Sequence, residues 1–195
     1  MMLSRCLLIC LSLLMFAMEA PADAYLAGQM LVAATQMKDP RFERSVIYVV
    51  AHNADGAMGL IVNRAAGQTP LRHLLGELGF RTRSTRPISL HFGGPVEMRR
   101  GFLLHSTDRR AASTQLLPDG LALSTGIDML RQIAEGKAPK QFRFLLGYAG
   151  WGAGQLEREL ARVDWLIAPA DPAVIFAKDA SSIWKKALTR AGIRL

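Results

Sequence analysis

Asp39-Pro40-Arg41-Phe42-Glu43-Arg44, Ser45-Val46-Ile47-Tyr48-Val49-Val50, His52-Asn53-Ala54-Asp55-Gly56 and Ala57-Met58-Gly59-Leu60-Ile61-Val62-Asn63-Arg64 form one continuous reading: turn, strand, tight turn, strand. The run 45–50 is rich in β-branched and aromatic residues, the side chains that suit a buried pleated surface. Asn53 and Gly56 stand between the two apolar runs, where the backbone must reverse and left-handed conformations are easiest for Gly and Asn. The stretch therefore predicts a β-hairpin at the core of the fold, with Val46, Tyr48, Val50, Leu60 and Val62 on buried faces.

Outward from the hairpin, 195 residues suffice for one domain with a packed core, since half of them are hydrophobic. Gly28–Ala34 reads as a strand, cut off from the hairpin by Asp39-Pro40. Thr69-Pro70 opens a helix with Leu71, Leu74, Leu75 and Leu78 on one face, and Gly79 closes it. Strands are predicted over 88–92, 101–105, 114–117, 121–124, 142–146 and 165–168. Arg99-Arg100 reads as a turn, and Thr125-Gly126-Ile127-Asp128 as a capping-box-like helix start with Gly136 as its stop. Gly147-Tyr148-Ala149-Gly150-Trp151-Gly152-Ala153-Gly154 reads as a loop, followed by a helix carrying Leu156, Leu160 and Val163 and a final helix near 182–190. Strands and helices interleave, but several connections are hairpins. The expected fold is α+β, a single domain with a mixed, barrel-like sheet flanked by helices.

Residues 1–24 have the layout of an export leader: Arg5, an apolar run from Cys6 to Met18 that is too short to span a bilayer, and Ala22-Asp23-Ala24 as a cleavage site. That predicts a domain over 25–195 beginning at Tyr25 in a periplasmic or secreted protein. Translation from Met18 would instead leave it cytoplasmic. Cys6 and Cys10 are the only cysteines, so no disulfide or cysteine metal site is available to residues 25–195.

The order Asp39-Pro40-Arg41-Phe42, His52-Asn53-x-x-Gly56-Ala57-Met58-Gly59-Leu60, Asn63-Arg64, Gly93-Gly94-Pro95-Val96, Gly147-Tyr148-Ala149-Gly150-Trp151 and Gly154-Gln155-Leu156-Glu157 resembles the bacterial YqgE/AlgH family. The resemblance implies an α+β domain with a mixed, barrel-like sheet and no established enzymatic activity. It also implies a link to transcriptional control of alginate production. The motif residues Asp39, Pro40, Arg41, Phe42, His52, Gly59, Asn63, Arg64, Gly93, Gly94, Pro95, Gly150 and Trp151 are expected to be structural.

The chemistry-bearing residues give little support to catalysis. His52, His73, His91 and His105 show no metal-ligand spacing, and no cofactor or metal is predicted. The glycines at 147–154 lack the spacing of a dinucleotide fingerprint and the Lys-Ser/Thr of a P-loop. Ser106 has no nucleophile elbow around it. A hydrolytic site at His52, Asp55 and Arg41 is an alternative that requires those side chains to converge.

The net charge of +8 draws attention to Arg81, Arg83 and Arg86, to Arg99 and Arg100, and to Arg109 and Arg110. These arginines are expected to bind an anionic polymer or envelope component, with nucleic acid second because no helix-turn-helix or RNP motif is present. The expected function is a non-catalytic binding or regulatory domain, with a cytoplasmic transcriptional regulator as the alternative.

Overall fold

The computed structural model describes residues 25–193, so the predicted leader at 1–24 lies outside the described residues. The elements are β1 (Gln29–Ala33), β2 (Val46–Asn53), β3 (Gly56–Ile61), β4 (Ala65–Pro70), α1 (Leu71–Glu77), β5 (Pro87–Phe92), β6 (Val96–Ser106), β7 (Thr114–Leu116) and β8 (Leu121–Ser124). Then come α2 (Ile127–Ala134), β9 (Phe142–Gly152), α3 (Gln155–Ala161), β10 (Trp165–Pro169), α4 (Pro172–Ile175) and α5 (Ala180–Arg190). The strands form one sheet in the order β10-β1-β2-β3-β9-β6-β8-β7, with β5 also paired to β9 and β4 to β5. Every pairing is antiparallel except β5–β9, so the domain is a mixed α+β fold whose sheet curls into a half-barrel.

The β2–β3 hairpin holds the centre. Tyr48 faces Leu60 and Ile47 faces Ile61 across it. Alternation along these strands feeds two cores. Met30, Val32, Val46, Tyr48, Leu60 and Val62 pack on one face with Ile183, Trp184 and Leu188 of α5. Leu31, Ile47, Val49 and Ile61 pack on the other with Trp151, Leu156 and Trp165. Both faces are covered, which is why the sequence there is an unbroken apolar run. Farther along that second face, α1 and α2 close a third core over β5, β6 and β9.

Several local expectations are corrected. Arg99 and Arg100 lie inside the long strand β6, not in a turn before it. The glycine stretch from 147 to 152 is the second half of β9, not a loop. Glycine supplies no β propensity, yet β3 and β6 flank this segment and their ladders override the preference. Pro70 ends β4, a strand with no apolar alternation, and stands at the start of α1 without a Thr69 cap. Asp128 does not close a capping box; it accepts from the Ser113 backbone N–H at 2.8 Å and from the Ser113 hydroxyl. Val163 lies beyond α3 with a left-handed φ of 59°.

Candidate functional site

The turn at 39–44 is stapled to the end of the hairpin. Asp39 accepts from Arg41 through the backbone N–H (2.9 Å) and through Nη2 (2.7 Å). The guanidinium holds the Asp39 carboxyl below its ordinary range. Arg64 Nη2 donates to the carbonyls of Glu43 (3.0 Å) and Pro40 (3.3 Å). Asn63 accepts from Val46 N–H at 2.9 Å and donates to the Arg44 carbonyl at 2.8 Å, where Arg44 has a φ of 53°. Phe42 packs edge-on against Trp165, their ring centroids 5.6 Å apart.

His52, Asp55 and Arg41 are not brought together. His52 Nδ1 accepts from the Leu26 backbone N–H at 3.0 Å, so its proton sits on Nε2 and is donated to Glu157 at 2.8 Å. Asp55 is exposed at the hairpin tip, and its backbone N–H donates to the Asn53 side chain. Arg41 is taken by Asp39. The hydrolytic alternative therefore loses its geometric basis. Trp151 is 7 % exposed, and its indole N–H donates to Glu159 Oε2 at 2.8 Å. Trp165 donates to the same oxygen at 2.8 Å, and Gln155 binds the other at 3.0 Å. With its acceptors engaged this way, Glu159 reads as the polar anchor of α3, not as a base.

Gly93 and Gly94 cross β9 at Gly147 with no room for a side chain. A Cβ on Gly93 would lie 2.3 Å from the Gly147 carbonyl oxygen, and one on Gly94 would lie 2.0 Å from the Tyr148 carbonyl carbon. Gly59 is similarly pressed on Ile47, at 2.4 Å. Gly150 is exposed, beside the Tyr148 ring. Pro95 follows the crossing and leads into β6.

The arginines divide. Arg81, Arg83 and Arg86 are exposed on the connection from α1 to β5, and Arg109 and Arg110 are exposed on the β6–β7 connection. Two contacts tie these connections to one helix. Arg131 of α2 stacks on Phe80, 3.8 Å from the ring centroid, and Gln132 donates to the Arg110 carbonyl at 3.1 Å. Arg72 adds a backbone bond to the Ser84 carbonyl. Phe80 and Ala111 pack on the same core under α1 and α2. Arg100 leaves this group, because Glu97 pairs with it at 3.1 Å. Arg99 lines a groove between α1 and α2. Nothing in the sequence singles out Arg131, because a lone arginine on a short helix carries no signal of its own.

Arg143 and its partners also escaped the sequence, which shows Arg143 only as one polar residue in an apolar run. Its buried guanidinium donates to His91 Nε2 and to the carbonyls of Ile175 and Ala177, each at 2.6 Å. His91 thus carries its proton on Nδ1, which has no hydrogen-bond partner. Burial first, and the Arg143 charge second, pull the His91 pKa below its ordinary value. Burial likewise lowers His105, whose Nδ1–H donates to the Ser106 carbonyl at 2.8 Å while Nε2 faces the Ser124 hydroxyl at 2.9 Å.

Both histidines fold neutral and titrate near pH ~6.5 when unfolded. Their contribution is complete above that pH and is lost as pH falls toward the depressed folded values. The urea midpoint is expected to drop between about pH 7 and about pH 5, before the carboxylates titrate. His105→Asn should flatten that slope. An unchanged slope in both His105→Asn and His91→Asn would refute the assignment.

Among the described residues, no group of three or more His, Cys, Asp or Glu side chains is placed to hold a metal ion. Also among them, no helix is long and apolar enough to cross a membrane.

The AlgH-like family (DUF179) profile matches residues 30–195. A UPF0301 protein of Methylococcus capsulatus is 54 % identical over 177 residues, covering 91 % of this chain and 96 % of that one. The solution structure of the AlgH protein from Pseudomonas aeruginosa superposes with a TM-score of 0.74 at 40 % identity, covering 91 % of this chain and 94 % of the other. A crystal structure from Corynebacterium diphtheriae gives 0.68 at 25 % identity, covering 85 % and 86 %.

Proposed function

Since the chain belongs to the AlgH-like family, we propose that it is a non-catalytic binding domain whose α1/α2 face engages an anionic polymer. The observation that carries this reading is the α2 linkage: Arg131 on Phe80 and Gln132 on Arg110 draw two separate arginine connections onto one layer. Among the described residues, Arg81, Arg83, Arg86, Arg109 and Arg110 make no ion pair. Of the nearby carboxylates, Glu135 is paired with Lys137, while Asp108 and Asp128 are held by hydrogen bonds from Ser106, the Lys140 backbone and Ser113. Guanidinium forks on one face sum their fields and suit sulfate, carboxylate and phosphate groups. Export through a leader at 1–24 would place this face among envelope polysaccharides, which makes a polyanionic polysaccharide the first ligand class and nucleic acid the second.

The test is elution from dextran sulfate and from DNA-cellulose under rising salt. The variant is Arg81→Ser, Arg83→Ser and Arg86→Ser together. The control is Lys178→Ser, Lys185→Ser and Lys186→Ser, around α5 on the opposite face of the sheet. Both remove three of the eight net charges. The arginine variant is expected to lose most of its retention, and the lysine control only a proportionate part. Equal loss in the two would reduce the effect to net charge and end the proposal. Stronger retention on DNA than on dextran sulfate would favour the nucleic-acid reading.

A further inference from the structure

α1 and α2 share a core over the sheet, and beside that contact a groove of about 600 Å³ opens between them. Its floor is Phe144 and Leu146 of β9, and its walls carry Leu74 from α1 and Leu130 from α2 beside the hydroxyl-bearing Thr69, Ser124 and Thr125. Gly101 contributes to the floor without a side chain; a Cβ there would lie 2.6 Å from the Phe144 ring. At the mouth, Leu78 is 49 % exposed and Met98 is 61 % exposed. Apolar side chains left this open beside a concave apolar wall favour a ligand that can cover them, and the volume falls within the range of small-molecule sites, about 300–1,000 Å³.

The charges at the groove narrow the choice. Arg99 and Glu77 both line it, and among the described residues neither pairs with the other or with any other ion. A neutral apolar ligand would use neither charge, leaving both to solvent. A purely anionic amphiphile would answer Arg99 and be repelled by Glu77, and a purely cationic one the reverse. An alkyl chain carrying a zwitterionic head meets every feature at once.

We infer that the α1/α2 groove binds a single-chain zwitterionic amphiphile, with its alkyl chain over Phe144 and Leu146, its anionic group at Arg99 and its cationic group at Glu77. The inference rests on the groove and its two unpaired charges, not on the arginines of the basic face.

The test uses four detergents with the same twelve-carbon chain, each below its micelle threshold, with affinities from isothermal titration calorimetry. Dodecylphosphocholine is expected to bind tightest, by roughly three- to tenfold over dodecyl maltoside, as expected for partly exposed charge contacts. Glu77→Gln should move the preference to dodecyl sulfate, and Arg99→Gln should move it to dodecyltrimethylammonium. Both residues are exposed, so neither change threatens the fold. Ile127→Trp should fill the groove and weaken all four ligands. Affinities that do not depend on the head group, or that ignore Glu77→Gln and Arg99→Gln, overturn the inference. So does a preference for dodecyl sulfate that vanishes when Arg81, Arg83 and Arg86 become Ser, because binding would then belong to the basic face.

Discussion

Gly94→Ala is expected to destabilise the protein by more than about 3 kcal/mol and to leave much of it insoluble on expression. The added Cβ would sit 2.0 Å from the Tyr148 carbonyl carbon and 2.2 Å from its oxygen. Both are main-chain atoms of β9, the strand that pairs with β3, β5 and β6. A side chain could swing aside; this backbone cannot move without opening those ladders. Gly76→Ala is the matched control. Gly76 lies in α1 with open space where its Cβ would go, so alanine should stabilise by up to about 1 kcal/mol. Urea denaturation of the two variants checks the contrast. A Gly94→Ala midpoint within error of the parent would mean that the 93–95 crossing is not the constriction described.

Arg143→Met is expected to cost about 3 kcal/mol or more, since each buried acceptor left without its donor costs about 1–3 kcal/mol. Methionine fills comparable space, but it leaves the Ile175 and Ala177 carbonyls and His91 Nε2 without the hydrogen-bond donor that Arg143 supplies. Those carbonyls belong to the end of α4 and the link to α5. The loss should therefore also appear locally, as faster proteolytic cleavage between Phe176 and Asp179 at denaturant concentrations where the sheet survives. Arg143→Lys should fall between parent and Met, because one ammonium cannot reach three acceptors with the geometry of a guanidinium. If Met and Lys were equally stable, packing and not hydrogen bonding would be the role of Arg143.

The hairpin at 46–61 was legible because both of its signals are local: β-branched residues where strands form, and Asn53 and Gly56 where the chain reverses. The arginines were legible as residues but not as a surface. The connections that carry Arg81 and Arg110 are far apart in sequence, and only α2 contacts both, through Arg131 on Phe80 and Gln132 on the Arg110 carbonyl. The pair Arg99-Arg100 shows the opposite case. Adjacent in sequence, the two go separate ways, Arg100 to Glu97 and Arg99 to the groove.

From the sequence alone came the α+β class, the central hairpin and the family, because strand and turn propensities are local and a motif order is carried by the chain itself. Tertiary structure decided the rest. Whether Gly147–Gly152 is loop or strand depended on β3 and β6 arriving beside it. Whether Gly93-Gly94 is a turn or a crossing depended on where β9 passes. The destinations of Arg143, His52 and Glu159 depended on partners 32 to 52, 26 and 105, and 4 to 8 residues away, respectively. A polar side chain's role is set by the donors and acceptors that folding delivers to it, and no local pattern encodes their arrival.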